Sequence, residues 1–226
     1  MTAGKLFLDF DGTLVSNKKR LYRFFRENIE PEFRNVLTIN EFWNLKRLGI
    51  NEIDWLNSQF SADLNLSLWN KKKLEEIEEW HYLSYDILFP ASPGALDSLS
   101  TRFEIILVSR RSNADNFYKE LDSFGLRKYF SDIILIPHNG EPKSTWITNR
   151  YKNIQQNELL VGDTEDDMRA GLALGLRTFF VLSGIRGPWM IQKYFANEKH
   201  KIKMIPSIKT LERYIGQEAV SENKIL

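Results

Sequence analysis

Cysteine is absent from the 226 residues, which excludes disulfides, thiolate zinc sites and cysteine nucleophiles. Long apolar runs are also missing, because none approaches the roughly 20 residues that span a bilayer. The early apolar run at residues 6–8 is cut by Asp9 and is too short for the core of a signal peptide. These absences predict a cytoplasmic protein that makes no membrane contact.

A strong net charge is the third missing feature. The 31 Lys and Arg against 30 Asp and Glu give a formal charge of +1, so no long-range field attracts nucleic acid or an anionic membrane. The short basic run at Lys199, Lys201 and Lys203 is typical of a solvated loop. We therefore expect no nucleic-acid partner, and any anionic substrate must be held by local contacts. The sequence carries no signature of an oligomeric state.

Five short, near-continuously apolar runs predict buried strands. Such runs are typical of parallel strands that are covered on both faces. Helical stretches alternate with them from about residue 92 to residue 182. Right-handed crossovers would then build an α/β fold, with a doubly wound, Rossmann-like parallel sheet of about five strands. The predicted strands are residues 5–10, 104–109, 132–136, 159–163 and 177–182.

The segment from residue 16 to residue 89 interrupts this alternation and contains no convincing strand. Thr38 and Glu41 have the spacing of a helix capping box, and Asn51 can cap a second helix. We therefore predict a helical cap domain at residues 16–89, inserted into an α/β core domain of residues 1–15 and 90–226. Four of the six tryptophans lie in the insertion and are expected to fill a small core: Trp43, Trp55, Trp69 and Trp80.

Two acidic motifs lie where predicted strands end. The motif Asp-Phe-Asp-Gly-Thr-Leu at residues 9–14 lies directly at the end of the first strand. Its first five positions, read as Asp-x-Asp-Gly-Thr, should arise by chance on the order of 10⁻⁵ per position, although an Asx turn is the ordinary structural alternative. The second motif is Gly-Asp-Thr-Glu-Asp-Asp at residues 162–167, where a predicted strand ends and a predicted helix begins. Acidic residues are common in a first helical turn, but Asp163 lies at the strand end where open α/β sheets bind ligands.

Two further polar residues lie at the boundaries of predicted elements, Ser109 and Lys143. Ser109 ends the strand at residues 104–109, and Lys143 follows a proline at a predicted helix start. Each residue alone is a weak signal, because such a serine is usually a turn residue and such a lysine is usually solvated. Asp9, Ser109, Lys143 and Asp163 nevertheless map to the same edge of one parallel sheet. The sequence therefore predicts a single polar site at that edge.

In order along the chain, these positions resemble the four motifs of the haloacid dehalogenase superfamily. The chain is similar to the phosphatase branch with a helical cap after the first motif, the phosphoglycolate phosphatase-like group. The resemblance implies that Asp9 is a nucleophile forming an aspartyl-phosphate, and that Asp11 is the general acid and then the general base. It also implies Mg²⁺ held by the Asp9 and Asp163 carboxylates and the Asp11 backbone carbonyl, with Asp167 supporting this shell.

The remaining assignments concern the substrate phosphate. Carboxylates beside a phosphate repel it unless cations offset them, so we expect Mg²⁺ and Lys143 to supply that charge. Ser109 and Thr13 would donate hydrogen bonds to phosphoryl oxygens. Arg110 and Arg111 depart from the small or amide residue that often follows the second-motif serine in such relatives. Arg110 is assigned here to anion binding, although both arginines could equally form surface or cap-facing ion pairs.

The predicted function is that of a Mg²⁺-dependent phosphatase acting on a small phosphorylated metabolite through an aspartyl-phosphate. A phosphomutase would use the same residues but exclude water in favour of a sugar hydroxyl. A non-catalytic protein of the same fold is a weaker alternative, because the motif residues are intact. A dehalogenase also fits less well, since a halide leaving group needs no proton from Asp11. The three histidines show no metal-ligand spacing and are predicted to be structural or surface residues: His81, His138 and His200.

Overall fold

The computed structural model describes residues 4–222, and only the backbone of residues 217–222. This part of the chain contains a six-stranded parallel sheet, a two-stranded antiparallel pair and eleven α-helices. The large sheet consists of β1 (Gly4–Leu8), β4 (Phe103–Arg110), β5 (Asp132–Ile136), β6 (Leu159–Gly162), β7 (Arg177–Val181) and β8 (Ile202–Ile205). The short pair consists of β2 (Val15–Ser16) and β3 (Ile87–Leu88).

The helices fall into two groups along the chain. Those between β2 and β3 are α1 (Lys18–Asn28), α2 (Ile39–Arg47), α3 (Glu52–Phe60), α4 (Leu66–Glu76) and α5 (Trp80–Leu83). Those that follow β3 are α6 (Ser92–Ser100), α7 (Ala114–Ser123), α8 (Lys143–Arg150), α9 (Glu165–Ala173), α10 (Trp189–Tyr194) and α11 (Leu211–Glu222).

The sheet order is β5-β4-β1-β6-β7-β8, so β1 is a central strand. Leu8 near the end of β1 is in register with Leu107 of β4 and Val161 of β6. The carboxyl ends of the three central strands therefore meet at one edge. All five predicted strands are confirmed, and so is the α/β class with a Rossmann-like parallel sheet.

The sixth strand, β8, was not predicted, and the expectation of a solvated loop at Lys203 is wrong. β8 is an edge strand, in which Ile202 and Ile205 are buried while Met204 is 45% exposed. Four residues with lysine between the two isoleucines do not form a continuous apolar run. The pattern used to find the other strands therefore misses a half-exposed strand at the edge of the sheet.

Hydrophobic cores cover both faces of the sheet. Leu6 and Leu8 pack on one face with Phe117 of α7, whereas Phe7 packs on the other face with Ile147 of α8. Successive side chains of a strand point to opposite faces. Because both faces are buried here, every position of β1 from residue 6 onward is apolar.

Helices α1 to α5 surround a separate hydrophobic cluster, which includes Phe24, Phe25 and Phe42. The predicted helix caps are present: Thr38 Oγ1 accepts a hydrogen bond from the Glu41 backbone at 3.3 Å, and Asn51 Oδ1 accepts one from Ile53 at 2.8 Å. We call residues 16–89 the helical insertion. Its action as a cap domain stays a prediction.

Three of the four tryptophans in the helical insertion occupy the expected place. Trp69 is buried in the cluster, and Trp43 and Trp55 pack against it. Trp80 does not belong to the cluster. Its ring lies 4.0 Å from Nζ of Lys119 on α7, so this tryptophan contacts the sheet-bearing part of the molecule instead.

The two ends of the helical insertion lie side by side. Val15 pairs with Leu88 and Ser16 pairs with Ile87 in antiparallel fashion, so the expectation of no strand in residues 16–89 is wrong at these positions. Two-residue strands are too short to produce a recognisable periodicity. Within the part of the chain that the structure describes, every helix is too short or too polar to span a membrane.

Candidate active site

Asp9 and Lys143 lie at the centre of the predicted polar edge. The Asp9 backbone N–H donates to Val161 O at 2.9 Å, continuing the pairing of β1 with β6. Lys143 begins α8, and its Nζ donates to Asp9 Oδ1 and Asp167 Oδ1 at 2.6 Å each. Against the effect of burial, Asp167 and Asp9 raise the pKa of Lys143. The lysine therefore remains a cation beside Asp9.

Asp163 contributes a carboxylate oxygen that the protein leaves unused. The side chain follows β6 and is 1% exposed. Its Oδ2 accepts a hydrogen bond from the Ile185 backbone at 2.6 Å, whereas Oδ1 has no hydrogen-bond partner in the described part of the chain. A buried charged oxygen without a partner is costly unless a cation is present.

The three carboxylates of Asp9, Asp163 and Asp167 form a set that fits a metal ion. One oxygen from each lies within 4.8 Å of the others, and all three residues are buried. An all-oxygen set suits a hard cation such as Mg²⁺. The Asp11 side chain lies outside this set, and metal binding by the Asp11 backbone carbonyl stays a prediction.

Burial and the neighbouring carboxylates raise the pKa values of Asp9 and Asp163. Burial and the Asp167 carboxylate raise the pKa of Asp9 to about 7, although Lys143 opposes the shift. Burial, Asp9 and Asp167 raise the pKa of Asp163 well above its usual range. A bound divalent cation would be the largest local charge and would reverse both shifts.

Two glycines make room for Asp163. Gly12 has φ of +75°, and a Cβ there would lie 2.2 Å from Asp163 Oδ2; at Gly184 the distance would be 1.9 Å. Ser183 Oγ also donates to Gly12 O at 2.9 Å, which joins the loop after β7 to the first motif. Sequence reasoning missed Ser183 and Gly184, because the loop after β7 carries no acidic motif.

Asp167 is fixed by the start of α9. Its Oδ2 accepts hydrogen bonds from the backbone and side chain of Thr164 at 3.0 and 2.6 Å, in a capping box with Asp in place of Glu. This leaves Oδ1 facing Lys143. The acidic residue of an ordinary helix cap is therefore also part of the buried carboxylate set.

Asp11 is held by two arginines that belong to different parts of the chain. Arg20 of α1 donates from Nη2 to Asp11 Oδ1 at 2.6 Å, and Nη1 of Arg111 lies 2.5 Å from Oδ2. Burial alone would raise the pKa of Asp11, but Arg111 and Arg20 lower it below its usual range. The arginine at position 111 is thus an ion-pair residue, and Arg20 was not predicted at all.

The two arginines are themselves paired with buried acids. Nε of Arg20 lies 3.3 Å from Asp86, and Nη2 of Arg111 donates to Glu120 at 3.2 Å. Burial, Asp11 and Glu120 raise the pKa of Asp86 well above its usual range, despite Arg20. The two guanidinium groups therefore lie among three acidic residues, Asp11, Asp86 and Glu120.

Ser109 and Arg110 both reach the cavity at this edge, but Thr13 does not. Ser109 is buried near the end of β4 and lines the cavity, as does Lys143. Thr13 is fully buried, and its Oγ1 has no hydrogen-bond partner in the described part of the chain. Its predicted contact with phosphate stays a prediction that requires a change of position.

Arg110 is already engaged with protein acceptors. Its Nε donates to Asp166 Oδ2 at 2.7 Å, and its other nitrogens donate to backbone carbonyls of Pro137, Gly140 and Glu141 at 3.1–3.3 Å. These bonds fasten the loop that leads to Lys143. The contacts match the ion-pair alternative raised from the sequence, and phosphate binding by Arg110 stays a prediction.

A cavity of about 580 Å³ opens over Asp9, between the sheet edge and the helical insertion. The insertion contributes Arg20 and Lys73 to its wall. His138 also lines the cavity and lies 2.6 Å from Glu78 through its Nε2. Sequence reasoning missed this histidine as a cavity residue, because its partner is 60 residues away in the chain.

Comparison with known proteins identifies the family. The model of the haloacid dehalogenase-like hydrolases matches residues 6–181. The chain belongs to this family. The match includes Asp9, Lys143, Asp163 and the whole helical insertion, and it confirms the expectation of a hydrolase of the haloacid dehalogenase superfamily.

Individual relatives agree with that assignment. The chain is 26% identical over 198 residues to the phosphoglycolate phosphatase of Aquifex aeolicus (strain VF5), covering 79% of this chain and 84% of the relative. Two solved structures share the fold. One is a predicted phosphatase from Clostridium acetobutylicum, with a TM-score of 0.69, 16% identity and coverage of 96% and 100% of the two chains. The other, a predicted phosphoglycolate phosphatase from Haemophilus somnus 129pt, has a TM-score of 0.68, 16% identity and coverage of 95% and 99%.

Proposed function

We propose that this protein is a Mg²⁺-dependent phosphatase that hydrolyses a small phosphorylated metabolite through a phosphoryl group bound transiently to Asp9. The observation that carries the proposal is the unpartnered Oδ1 of Asp163 beside the carboxylates of Asp9 and Asp167. A cation held by these three residues would neutralise the phosphoryl oxygens during transfer. The name of the Aquifex relative, a phosphoglycolate phosphatase, supports a phosphorylated substrate.

In the first step a carboxylate oxygen of Asp9 attacks phosphorus. Lys143 occupies Oδ1, which leaves Oδ2 as the nucleophile. The ester P–O bond breaks as the Asp9–phosphoryl bond forms, and the leaving alkoxide takes a proton from Asp11. Lys143 and Ser109 hold the phosphoryl oxygens while charge shifts in the transition state.

In the second step water attacks the phosphorylated Asp9. Asp11 takes a proton from that water, the Asp9–phosphoryl bond breaks, and inorganic phosphate leaves. Ionised Asp11, as Arg20 and Arg111 keep it, is ready for this role. To act as an acid in the first step, Asp11 must be protonated. This requires that the contact between Asp11 and one of its arginines weakens once substrate is bound.

The helical insertion acts as a cap domain in this proposal, with residues 1–15 and 90–226 as the core domain. Closing over the cavity would exclude bulk water and strengthen each electrostatic contact to the phosphate. The adjacent strands β2 and β3, where the chain enters and leaves the insertion, are the expected hinge. A cytoplasmic location remains a prediction from the sequence.

The test is an assay of metal-free protein on p-nitrophenyl phosphate and phosphoglycolate, with and without Mg²⁺. We expect phosphate release only with Mg²⁺. In rapid-quench samples we expect one acid-stable phosphoryl group bound to each trapped enzyme molecule. Full activity in excess chelator would contradict the proposal. Transfer of the phosphoryl group to added sugar phosphate, with no release to water, would favour the phosphomutase alternative, which no contact in the described residues singles out.

A further inference from the structure

The wall that the helical insertion contributes to the cavity includes a lysine that shares a carboxylate with a second lysine. The carboxylate of Glu52, which is 1% exposed, contacts two lysines. Lys46 Nζ donates to Glu52 Oε2, and Lys73 Nζ lies 3.6 Å from Oε1. The same Oε1 accepts a hydrogen bond from Trp69 Nε1 at 3.0 Å. One buried carboxylate is therefore shared by two lysine side chains, and burial together with Lys73 and Arg186 lowers the pKa of Lys46 well below its usual range.

Of the two lysines, Lys73 is the one that lines the cavity. Lys46 is buried in the insertion, bonded to Glu52. The Lys73 side chain is one quarter exposed, and its neighbours Asn70 and Leu74 on α4 line the same cavity. In the described part of the chain, no carboxylate lies within hydrogen-bond distance of Lys73 Nζ.

The surroundings of Lys73 are cationic as well. Burial, Arg20 and Arg186 lower the pKa of Lys73 to about 8. Those two arginines are engaged: Arg20 with Asp11 at 2.6 Å, and Arg186 with Glu165 at 2.8 Å. An anion brought to Lys73 would offset its charge, and the cationic surroundings would favour its binding.

We propose that Lys73 is a specificity-determining residue that binds a second anionic group, on the part of the substrate that is not transferred. The inference rests on the proposed function, which places the phosphoryl group at Asp9 and the rest of the ester toward the insertion. The substrate class is then a small phosphate ester with a carboxylate or a second phosphate. A flexible ammonium group accepts either anion as a point charge.

The test compares esters that differ only in this group. Ethyl phosphate and phosphoglycolate have the same two-carbon chain, ending in a methyl group or a carboxylate, and ethylene glycol bisphosphate places a second phosphate there. For the wild type we expect kcat/KM to be about 10–100-fold higher for one of the two anionic esters than for ethyl phosphate, as for a charge-assisted hydrogen bond. Lys73→Met should remove most of that ratio. The anionic ester with the higher kcat/KM shows whether Lys73 favours a carboxylate or a second phosphate.

Lys72→Met is the matched control. Lys72 is the preceding residue of α4, is exposed, pairs with Glu76 at 4.0 Å and does not line the cavity. This variant should keep the wild-type ratio, and Lys73→Arg should restore part of it. Lys73→Met should still fold, because Glu52 keeps its bonds to Lys46 and Trp69.

The outcomes separate this inference from the proposed function. A wild-type ratio near one, or a ratio unchanged in Lys73→Met, overturns the role of Lys73 while hydrolysis of ethyl phosphate still supports a phosphatase. Absence of Mg²⁺-dependent hydrolysis of every ester, p-nitrophenyl phosphate included, overturns the proposed function and this inference together.

Discussion

Arg20, on the first helix of the helical insertion, donates a hydrogen bond of 2.6 Å to Asp11, the second carboxylate of the first motif. The bond ties the protonation state of Asp11 to the position of the insertion, because Arg20 and Arg111 lower the pKa of this carboxyl group. Only Arg20 can be withdrawn by a movement of the insertion, since Arg111 follows the central strand β4.

Arg20→Met should raise the pKa of Asp11. A raised pKa moves the limb of the pH–rate profile that reports Asp11 to higher pH, whether Asp11 acts as acid or as base. The measurement is kcat/KM for p-nitrophenyl phosphate against pH. Lys19→Met, at the exposed neighbouring position, is the control. A profile of Arg20→Met that superimposes on the wild type would show that Arg20 does not set the acidity of Asp11.

Asp9→Asn should abolish turnover, with kcat lower by on the order of 10⁴-fold or more, as for other nucleophile deletions. The variant should melt at the same or a higher temperature in metal-free buffer at about pH 8, because it removes one of three mutually repelling buried carboxylates. Lys143 keeps its bond to Asp167. Activity assays and thermal melts check both parts, and mass spectrometry must confirm that the introduced asparagine has not deamidated. Near-normal turnover by a verified variant would remove Asp9 from the nucleophile role.

The parts of the site that the sequence predicts are those placed by parallel strands. Asp9 and Asp163 follow adjacent strands, so the topology of the sheet alone brings them together. Arg20 could not be found in this way, because its position depends on how α1 folds back over the sheet edge. Gly184 follows β7 without any polar signature, and its role is evident only from its contact with Asp163. Local patterns locate residues on regular elements, whereas contacts across the insertion depend on tertiary packing.

The stabilising effect of Mg²⁺ should grow with pH. The pKa of Asp9 is raised to about 7 and that of Asp163 is also raised, so these two groups bind more protons in the folded metal-free protein than in the unfolded chain. These groups therefore lower stability as pH rises from about 4, the unfolded value, through the folded value. Mg²⁺ must replace those protons, so the increase in Tm on adding Mg²⁺ should be small at about pH 5.5 and larger at about pH 8. An increase that is the same at both values, or that persists in Asp163→Asn, would contradict this account.

Gly184→Ala should weaken metal binding, because the added methyl group would lie 1.9 Å from Asp163 Oδ2. Displacing a residue that orients a metal ligand typically costs about 10–100-fold in metal affinity or activity. Titration of metal-free protein with Mg²⁺, followed by Tm and by phosphatase activity, measures the loss. Gly94→Ala is the control, since a Cβ at Gly94 meets nothing within 4 Å and should leave metal binding intact. Equal Mg²⁺ affinity of the two variants would show that the loop after β7 does not position Asp163.

A carboxylate of the helical insertion fastens it to the rest of the molecule. Glu78, between α4 and α5, accepts hydrogen bonds from the backbone N–H groups of Ser112 and Asn113 at 2.8 and 2.6 Å, at the start of α7. Its other carboxylate oxygen lies 2.6 Å from His138 Nε2, and its backbone carbonyl accepts from Asn116 at 2.9 Å. Glu78 thus holds the insertion against α7 and the loop after β5. If the insertion is a cap that opens, this carboxylate holds it closed.

Glu78→Ala should shift the insertion toward open arrangements and raise KM for phosphate esters. The loss of the hydrogen bonds that Glu78 accepts from Ser112 and Asn113 should also cost about 1–3 kcal/mol of stability. Because the chain has no cysteine, spin labels at Ser58→Cys and Lys128→Cys report the distance between insertion and core without a background signal. We expect a broader and longer distance distribution in Glu78→Ala, which Mg²⁺ with beryllium fluoride, a phosphoryl mimic, should narrow again. Glu75→Ala, an exposed position on α4, should behave like the wild type. One narrow distribution in all variants, with and without the mimic, would mean that the insertion is a fixed wall and that substrate enters from the open edge of the sheet.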